Sequence, residues 1–172
     1  VVTGSAGTLS GQVGGVDSAL RVYTNDGGGS FTVNTILSVG FFDFFANASR
    51  YIQDIALADL DGDSDLDIAM VQARATSRLA WLPNNGDGNF GDVQVIWARA
   101  NSQPQSLATG DIDGDGDVDI AFISGSGAAG LLGGGASPRI NSARNTGDGV
   151  SPQWEVILGP LQSEGGSDLQ TP

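Results

Sequence analysis

Nine residues, Asp59-Leu60-Asp61-Gly62-Asp63-Ser64-Asp65-Leu66-Asp67, return 52 positions later as Asp111-Ile112-Asp113-Gly114-Asp115-Gly116-Asp117-Val118-Asp119. Each copy sets five aspartates on alternate positions. Carboxylates so close repel one another, and unscreened they favour an extended chain. A hard divalent cation relieves that repulsion, because Ca²⁺ takes six to eight oxygen ligands at about 2.3–2.6 Å. Wrapping a chain round an ion needs a tight turn, and Gly62, Gly114 and Gly116 tolerate the positive φ of such a turn. The alternative to an ion site is a solvated acidic turn, and two such copies are hard to obtain by accident.

The spacing argues against the helix-flanked calcium loop, which needs Gly at position six and a bidentate Glu at position twelve. Position six is Ser64 in the first copy, although Gly116 satisfies it in the second, and position twelve is Met70 or Phe122. The flanks Ile55-Ala56-Leu57-Ala58 and Ile68-Ala69-Met70-Val71 are short apolar runs that read as buried strands. The loop therefore joins two strands, with Asp59, Asp61, Asp63 and Asp67 as side-chain ligands and Asp65 offering its backbone carbonyl.

Self-comparison reveals a second repeated element. Ala80-Trp81-Leu82-Pro83-Asn84-Asn85-Gly86-Asp87-Gly88-Asn89-Phe90 reads as a strand, an Asn/Gly turn and a strand opening at Phe90. An earlier copy runs from Val22 through Asn25-Asp26-Gly27-Gly28-Gly29 to Phe31, and a worn later copy is Ala143-Arg144-Asn145-Thr146-Gly147-Asp148-Gly149. Strand-like segments follow each turn, from Phe31 to Leu37, Val93 to Trp97 and Trp154 to Leu158. One unit is thus strand, aspartate loop, strand, connection, strand, turn, strand. The expected division is a degenerate N-terminal unit at 1–50 and loop-bearing units at 51–105 and 106–172. The Gly- and Ser-rich stretch from Thr3 to Asp17 lacks an aspartate loop, as in a half-unit that has lost its metal.

Composition narrows the function. The formal charge of −13 comes from 7 Arg against 18 Asp and 2 Glu, with no Lys, His or Cys. Two bound calcium ions would leave the chain clearly acidic, which speaks against nucleic acid and anionic membranes as partners. No stretch of about 20 apolar residues could span a bilayer. Without cysteine there are no disulfides and no thiolate metal sites. The calcium loops point outside the cytosol, to a secreted or cell-surface location. The chain opens on Val1-Val2 with neither an initiating Met nor a signal segment, as expected of a processed chain or a piece of a longer one.

With the loops and turns together, the chain resembles the FG-GAP/VCBS repeat family, whose Asp-x-Asp-Gly-Asp-Gly-x-x-Asp loop binds calcium between the first two strands of a β-propeller blade. The match spans roughly residues 20 to 158. The resemblance implies an all-β fold of four-stranded antiparallel blades, about three of them, forming a partial propeller or a fragment of a larger one. It implies two Ca²⁺ sites on Asp59, Asp61, Asp63 and Asp67 and on Asp111, Asp113, Asp115 and Asp119. Asp65 and Asp117 fall on variable positions of the motif. Asn25, Asn84 and Asn145 match its turn asparagine, Ser64 replaces the usual Gly, and Ser142 stands where Trp81 would be expected.

Relatives of this kind are mostly adhesion, lectin-like or scaffold modules, and some accompany polysaccharide-degrading domains. The expectation is a non-catalytic calcium-stabilised module that binds a protein or glycan, or joins other subunits in a surface assembly. The alternative is an accessory or catalytic propeller of a polysaccharide lyase or hydrolase. Catalysis needs a general acid or base. The chain has no His or Lys and only Tyr23 and Tyr51 as tyrosines, and most aspartates sit in the loops. Trp81, Trp97 and Trp154 flank the turns in strand-like segments and read as packing, with sugar stacking as the alternative. Phe41-Phe42-Asp43-Phe44-Phe45 reads as a core plug or sheet cover, with contact to a neighbouring chain as the alternative. Asn47-Ala48-Ser49 is a glycosylation sequon, and Ser124 to Ser137 reads as a flexible connecting loop.

Overall fold

The computed structural model describes residues 2–7, 17–25, 27–39, 51–73, 76–86, 89–100, 102–126, 138–147 and 152–159. The aromatic run at Phe41–Phe45, the sequon at Asn47 and most of the glycine-rich stretch before Ser137 lie outside them. Within that stretch, Ser124, Gly125 and Ser126 belong to a strand rather than to a loop.

The described residues form eleven strands and no helix. The first sheet pairs β1 (Val2–Gly7), β2 (Asp17–Asn25) and β3 (Phe31–Val39) in that order. The second runs β4 (Tyr51–Ala58), β5 (Asp67–Ala73), β6 (Thr76–Leu82) and β7 (Gln94–Ala100). The third repeats it with β8 (Ser102–Gly110), β9 (Asp119–Ser126), β10 (Arg139–Asn145) and β11 (Trp154–Ile157). All pairings are antiparallel between chain neighbours. The sheets stack face to face as blades of a partial propeller.

Alternation decides which neighbour each strand residue meets, because successive side chains point to opposite faces. All seven residues of β5 are buried. Ile68 and Met70 join Ala80, Leu82, Ile52 and Leu20 in a cluster between the first and second sheets. Ala69 and Val71 point the other way, joining Leu79, Trp81, Leu107, Ile120, Phe122 and Ala143 between the second and third. Trp97 tilts onto Phe122 with ring centroids 5.2 Å apart.

Polar ties reinforce the second of these interfaces. Asp54 on β4 accepts hydrogen bonds from the Ser106 hydroxyl at 2.8 Å and the Leu107 amide at 3.0 Å. Asn145 Nδ2 donates to the Leu60 carbonyl at 2.9 Å. Pro104 lies on β8, an edge strand of its sheet, beside a register shift between Pro104 and Ser106, where its missing N–H is tolerated.

Candidate metal centre

Both aspartate loops connect the first two strands of a four-stranded sheet, β4 to β5 and β8 to β9. They fold by the same rules. The Asp59 carboxylate accepts from the Gly62 amide at 2.8 Å and the Ser64 amide at 3.0 Å. In the second loop Asp111 accepts from Gly114 at 2.7 Å and Gly116 at 3.1 Å. Asp61 then accepts from Asp63 N, and Asp63 from Asp65 N, with the same steps at Asp113 and Asp115. Each carboxylate thereby curls the next two residues inward as an Asx-type turn. Gly62, Gly114 and Gly116 have φ of 76°, 83° and 99°, and Ser64 takes 77°, a left-handed conformation unusual for a residue with a Cβ.

The last aspartate of each loop plays a further part. Asp67 is fully buried, and its two oxygens accept from the Leu60 amide at 2.8 Å and the Asn84 amide at 2.7 Å. Asp119, also fully buried, accepts from Ile112 N at 2.8 Å and Asn145 N at 2.8 Å. These side chains tie the aspartate loop to the asparagine turn of the same sheet. In those turns Asn84 Oδ1 accepts from Gly86 N and Asn145 Oδ1 from Gly147 N, each at 3.2 Å. Phe90, expected to open a strand, makes a single bridge to Asn84, and β7 begins at Gln94. The cause is local: the Gly91 amide donates to the Pro83 carbonyl at 2.8 Å, which closes the turn before the chain straightens.

In the first loop, carboxylate oxygens of Asp59, Asp61 and Asp67 lie within 4.8 Å of one another, and in the second those of Asp111, Asp113 and Asp115 do. Asp63 and Asp65 stand outside the first triad, and Asp117 and Asp119 outside the second. An all-oxygen donor set on a turn rich in carboxylates suits a hard cation such as Ca²⁺. Arg144 contacts Asp113 at 3.8 Å and supplies part of the counter-charge in the second loop.

Burial, opposed by the Asn84 and Leu60 amides and reinforced by the charges of Asp61 and Asp63, pushes the Asp67 carboxyl up to about 6. Asp61 is also raised, first by burial; the Asp63 amide lowers it, and the neighbouring charges of Asp63 and Asp59 raise it again. The metal-free loop therefore holds negative charge that it would shed to a proton or a cation.

A cleft of about 350 Å³ opens beside the first loop, lined by Asp61, Trp81, Pro83, Gln94, Val95, Pro152 and Trp154. Trp81 is buried, and Trp97 and Trp154 pack against the same core, in line with the packing reading of all three. The Trp154 indole N–H is buried without a hydrogen-bond partner. Leu60 and Asp54 were not singled out by the motifs, yet they anchor the loop-bearing sheets to each other.

Residues 59–122, from the start of the first loop to just past the second, match the family model of the FG-GAP-like repeat. No curated protein and no solved structure shows significant similarity to the chain.

Proposed function

We propose that this chain, which carries an FG-GAP-like repeat through its middle, is a non-catalytic, calcium-stabilised extracellular module that binds a protein or glycan partner or takes part in a surface assembly. The observation that carries this reading is the pair of aspartate loops, each bringing three carboxylates within 4.8 Å at the same strand junction. One Ca²⁺ in each loop neutralises carboxylates that otherwise repel, and so stiffens the junction of the first two strands. The ions are structural. The chain's seven arginines are scattered singly, and without lysine or histidine it offers few groups for acid–base work. A glycan partner is best served by the cleft beside Asp61, where Gln94 supplies hydrogen-bonding groups and the tryptophan rings an apolar wall.

Two experiments test this. Thermal melting in calcium, magnesium and chelator should give the highest Tm in calcium, with magnesium a poor substitute because it demands a tighter octahedral shell and keeps its waters. Asp61→Ala combined with Asp113→Ala should abolish the calcium increment, whereas equal Tm values in calcium and chelator would reduce the loops to acidic turns. Screening the chain on a glycan array with and without chelator then reports whether a sugar is bound and whether binding needs the ions.

A further inference from the structure

The two aspartate loops share a turn but not an electrostatic environment. In the first, the clustered carboxylates are those of Asp59, Asp61 and Asp67; in the second they are those of Asp111, Asp113 and Asp115. Asp67 is fully buried and Asp59 and Asp61 are half-buried, whereas all three members of the second triad are exposed. Carboxylates drawn together away from water repel more strongly than carboxylates bathed in it. Asp61 also faces the like charges of Asp63 and Asp59. The first loop therefore carries the larger unrelieved repulsion.

The difference is sharpest at one pair of positions. Aligning the loops sets Asp113 on Asp61, and aligning the turn asparagines sets Arg144 on Pro83. In the second sheet Asp61 and Pro83 line the same cleft, and the proline ring brings no charge to it. In the third sheet Arg144 Nη1 stands 3.8 Å from Asp113 Oδ2. The other Asp113 oxygen accepts from the Asp115 amide at 3.3 Å, so both oxygens already have partners. At 3.8 Å the arginine contact is an ion pair rather than a hydrogen bond. The Arg144 Nε is buried without a hydrogen-bond partner, so no fork of hydrogen bonds locks the guanidinium in place. Glu155 lies opposite Arg144 on β11, a second carboxylate within reach of a long side chain.

We infer, on the calcium reading above, that the two loops take up calcium unequally: the first fills at the lower concentration, and in the second Arg144 is a built-in competitor that the ion must displace from Asp113. An ion gains only what it supplies beyond the contacts already present. In the first loop it relieves repulsion among half-buried carboxylates. In the second, Arg144 has relieved part of that repulsion beforehand and must give up its pairing when the ion enters, turning toward Glu155. Partly exposed ion pairs are worth a factor of about two to five in a binding constant, which sets the size of the effect.

Calorimetric titration of the full chain with calcium tests this, one loop being disabled at a time. Asp113→Ala leaves the first loop and Asp61→Ala the second, and the first should bind calcium more tightly. Adding Arg144→Gln to Asp61→Ala should tighten the second loop about two- to fivefold. Arg144→Lys keeps the charge and should leave the second loop near its parent value. Adding Arg144→Gln to Asp113→Ala should not move the first loop. Thermal melting gives a readout that a packing role would not: Arg144→Gln should lower the Tm in chelator and leave it unchanged in saturating calcium, where the arginine is displaced. Equal affinities of the two loops overturn the inference and leave the metal reading standing. So do an Arg144→Gln variant that binds no more tightly than its parent, an Arg144→Lys variant that behaves like Arg144→Gln, and equal Tm losses in both conditions. A wild-type chain that binds no calcium at all would overturn both.

Discussion

The Asn84 amide donates to Asp67 Oδ1 at 2.7 Å across seventeen residues of chain, and Asn145 repeats the bond to Asp119 at 2.8 Å. The aspartate loop and the asparagine turn are thus two halves of one hydrogen-bonded unit. Removing the acceptor leaves the Leu60 and Asn84 amides unpaired, at about 1–3 kcal/mol for each buried donor. Asp67→Ala is therefore expected to destabilise the protein even in chelator. Asp61→Ala in chelator should be neutral or stabilising, since it relieves repulsion from Asp59 and Asp63. Urea titrations of the two variants without calcium separate these roles, and equal losses would contradict the division.

Calcium should raise stability through both loops. Extracellular modules bind calcium with Kd of about 10⁻⁴–10⁻³ M. At ~10 mM calcium each filled site then contributes on the order of 1.4–2.7 kcal/mol. Isothermal titration should show about two ions per chain, falling to about one in Asp113→Ala.

The pH dependence of the metal-free protein should run opposite to ordinary acid unfolding in the range where Asp67 titrates. Its carboxyl is raised from 3.8 to about 6 by folding, so the native state binds more protons than the unfolded state between those values. Stability linked to Asp67 is then highest below the unfolded value and is lost as pH rises through the folded one. In chelator the Tm should climb as pH drops from about 7 to about 5. In saturating calcium the slope should reverse, because protons compete with the ion for the same oxygens. Matched melting curves in the two conditions check the crossing.

Ser64 should be improvable. Its φ of 77° crowds the Cβ, a cost of about 1–2 kcal/mol for an L-residue, partly offset by the extra freedom glycine has when unfolded. Ser64→Gly should gain up to about 1 kcal/mol, and Gly116→Ser in the second loop should lose a similar amount, read as shifts in urea midpoint at constant m.

Asp54 should couple the two loop-bearing sheets. Asp54→Ala strands the Leu107 amide and is expected to cost about 1–3 kcal/mol. A double-mutant cycle with Ser106→Ala should return a favourable coupling energy, and a coupling near zero would deny the tie between β4 and β8.

Local pattern made the loops, the turns and the all-β architecture legible, because alternation, aspartate spacing and Asn/Gly turns are written within a few residues of chain. Partners distant in the chain were not. Leu60 looks like a spacer between two aspartates, yet the third sheet buries it. Asp54 sits in an apolar run with nothing nearby to announce Ser106, 52 residues on. Asp67 read as a metal ligand like its neighbours, and only the folded chain reveals that both its oxygens hold backbone amides. The Asn/Gly turn pattern opens a strand at Phe90, but the Gly91 amide closes the turn first.

The completely buried β5 has a consequence for how errors in this fold would look. In a strand with one wet face, a slip of a single residue turns apolar side chains toward water and is rejected on that ground. β5 has no wet face: a slipped strand would hand Ile68 and Met70 to the third sheet and Ala69 and Val71 to the first, trading large for small on both sides while burying much the same surface. Hydrophobicity alone therefore sets its register weakly. Asp67, at the head of β5 with one oxygen on Leu60 and the other on Asn84, is the peg that fixes it.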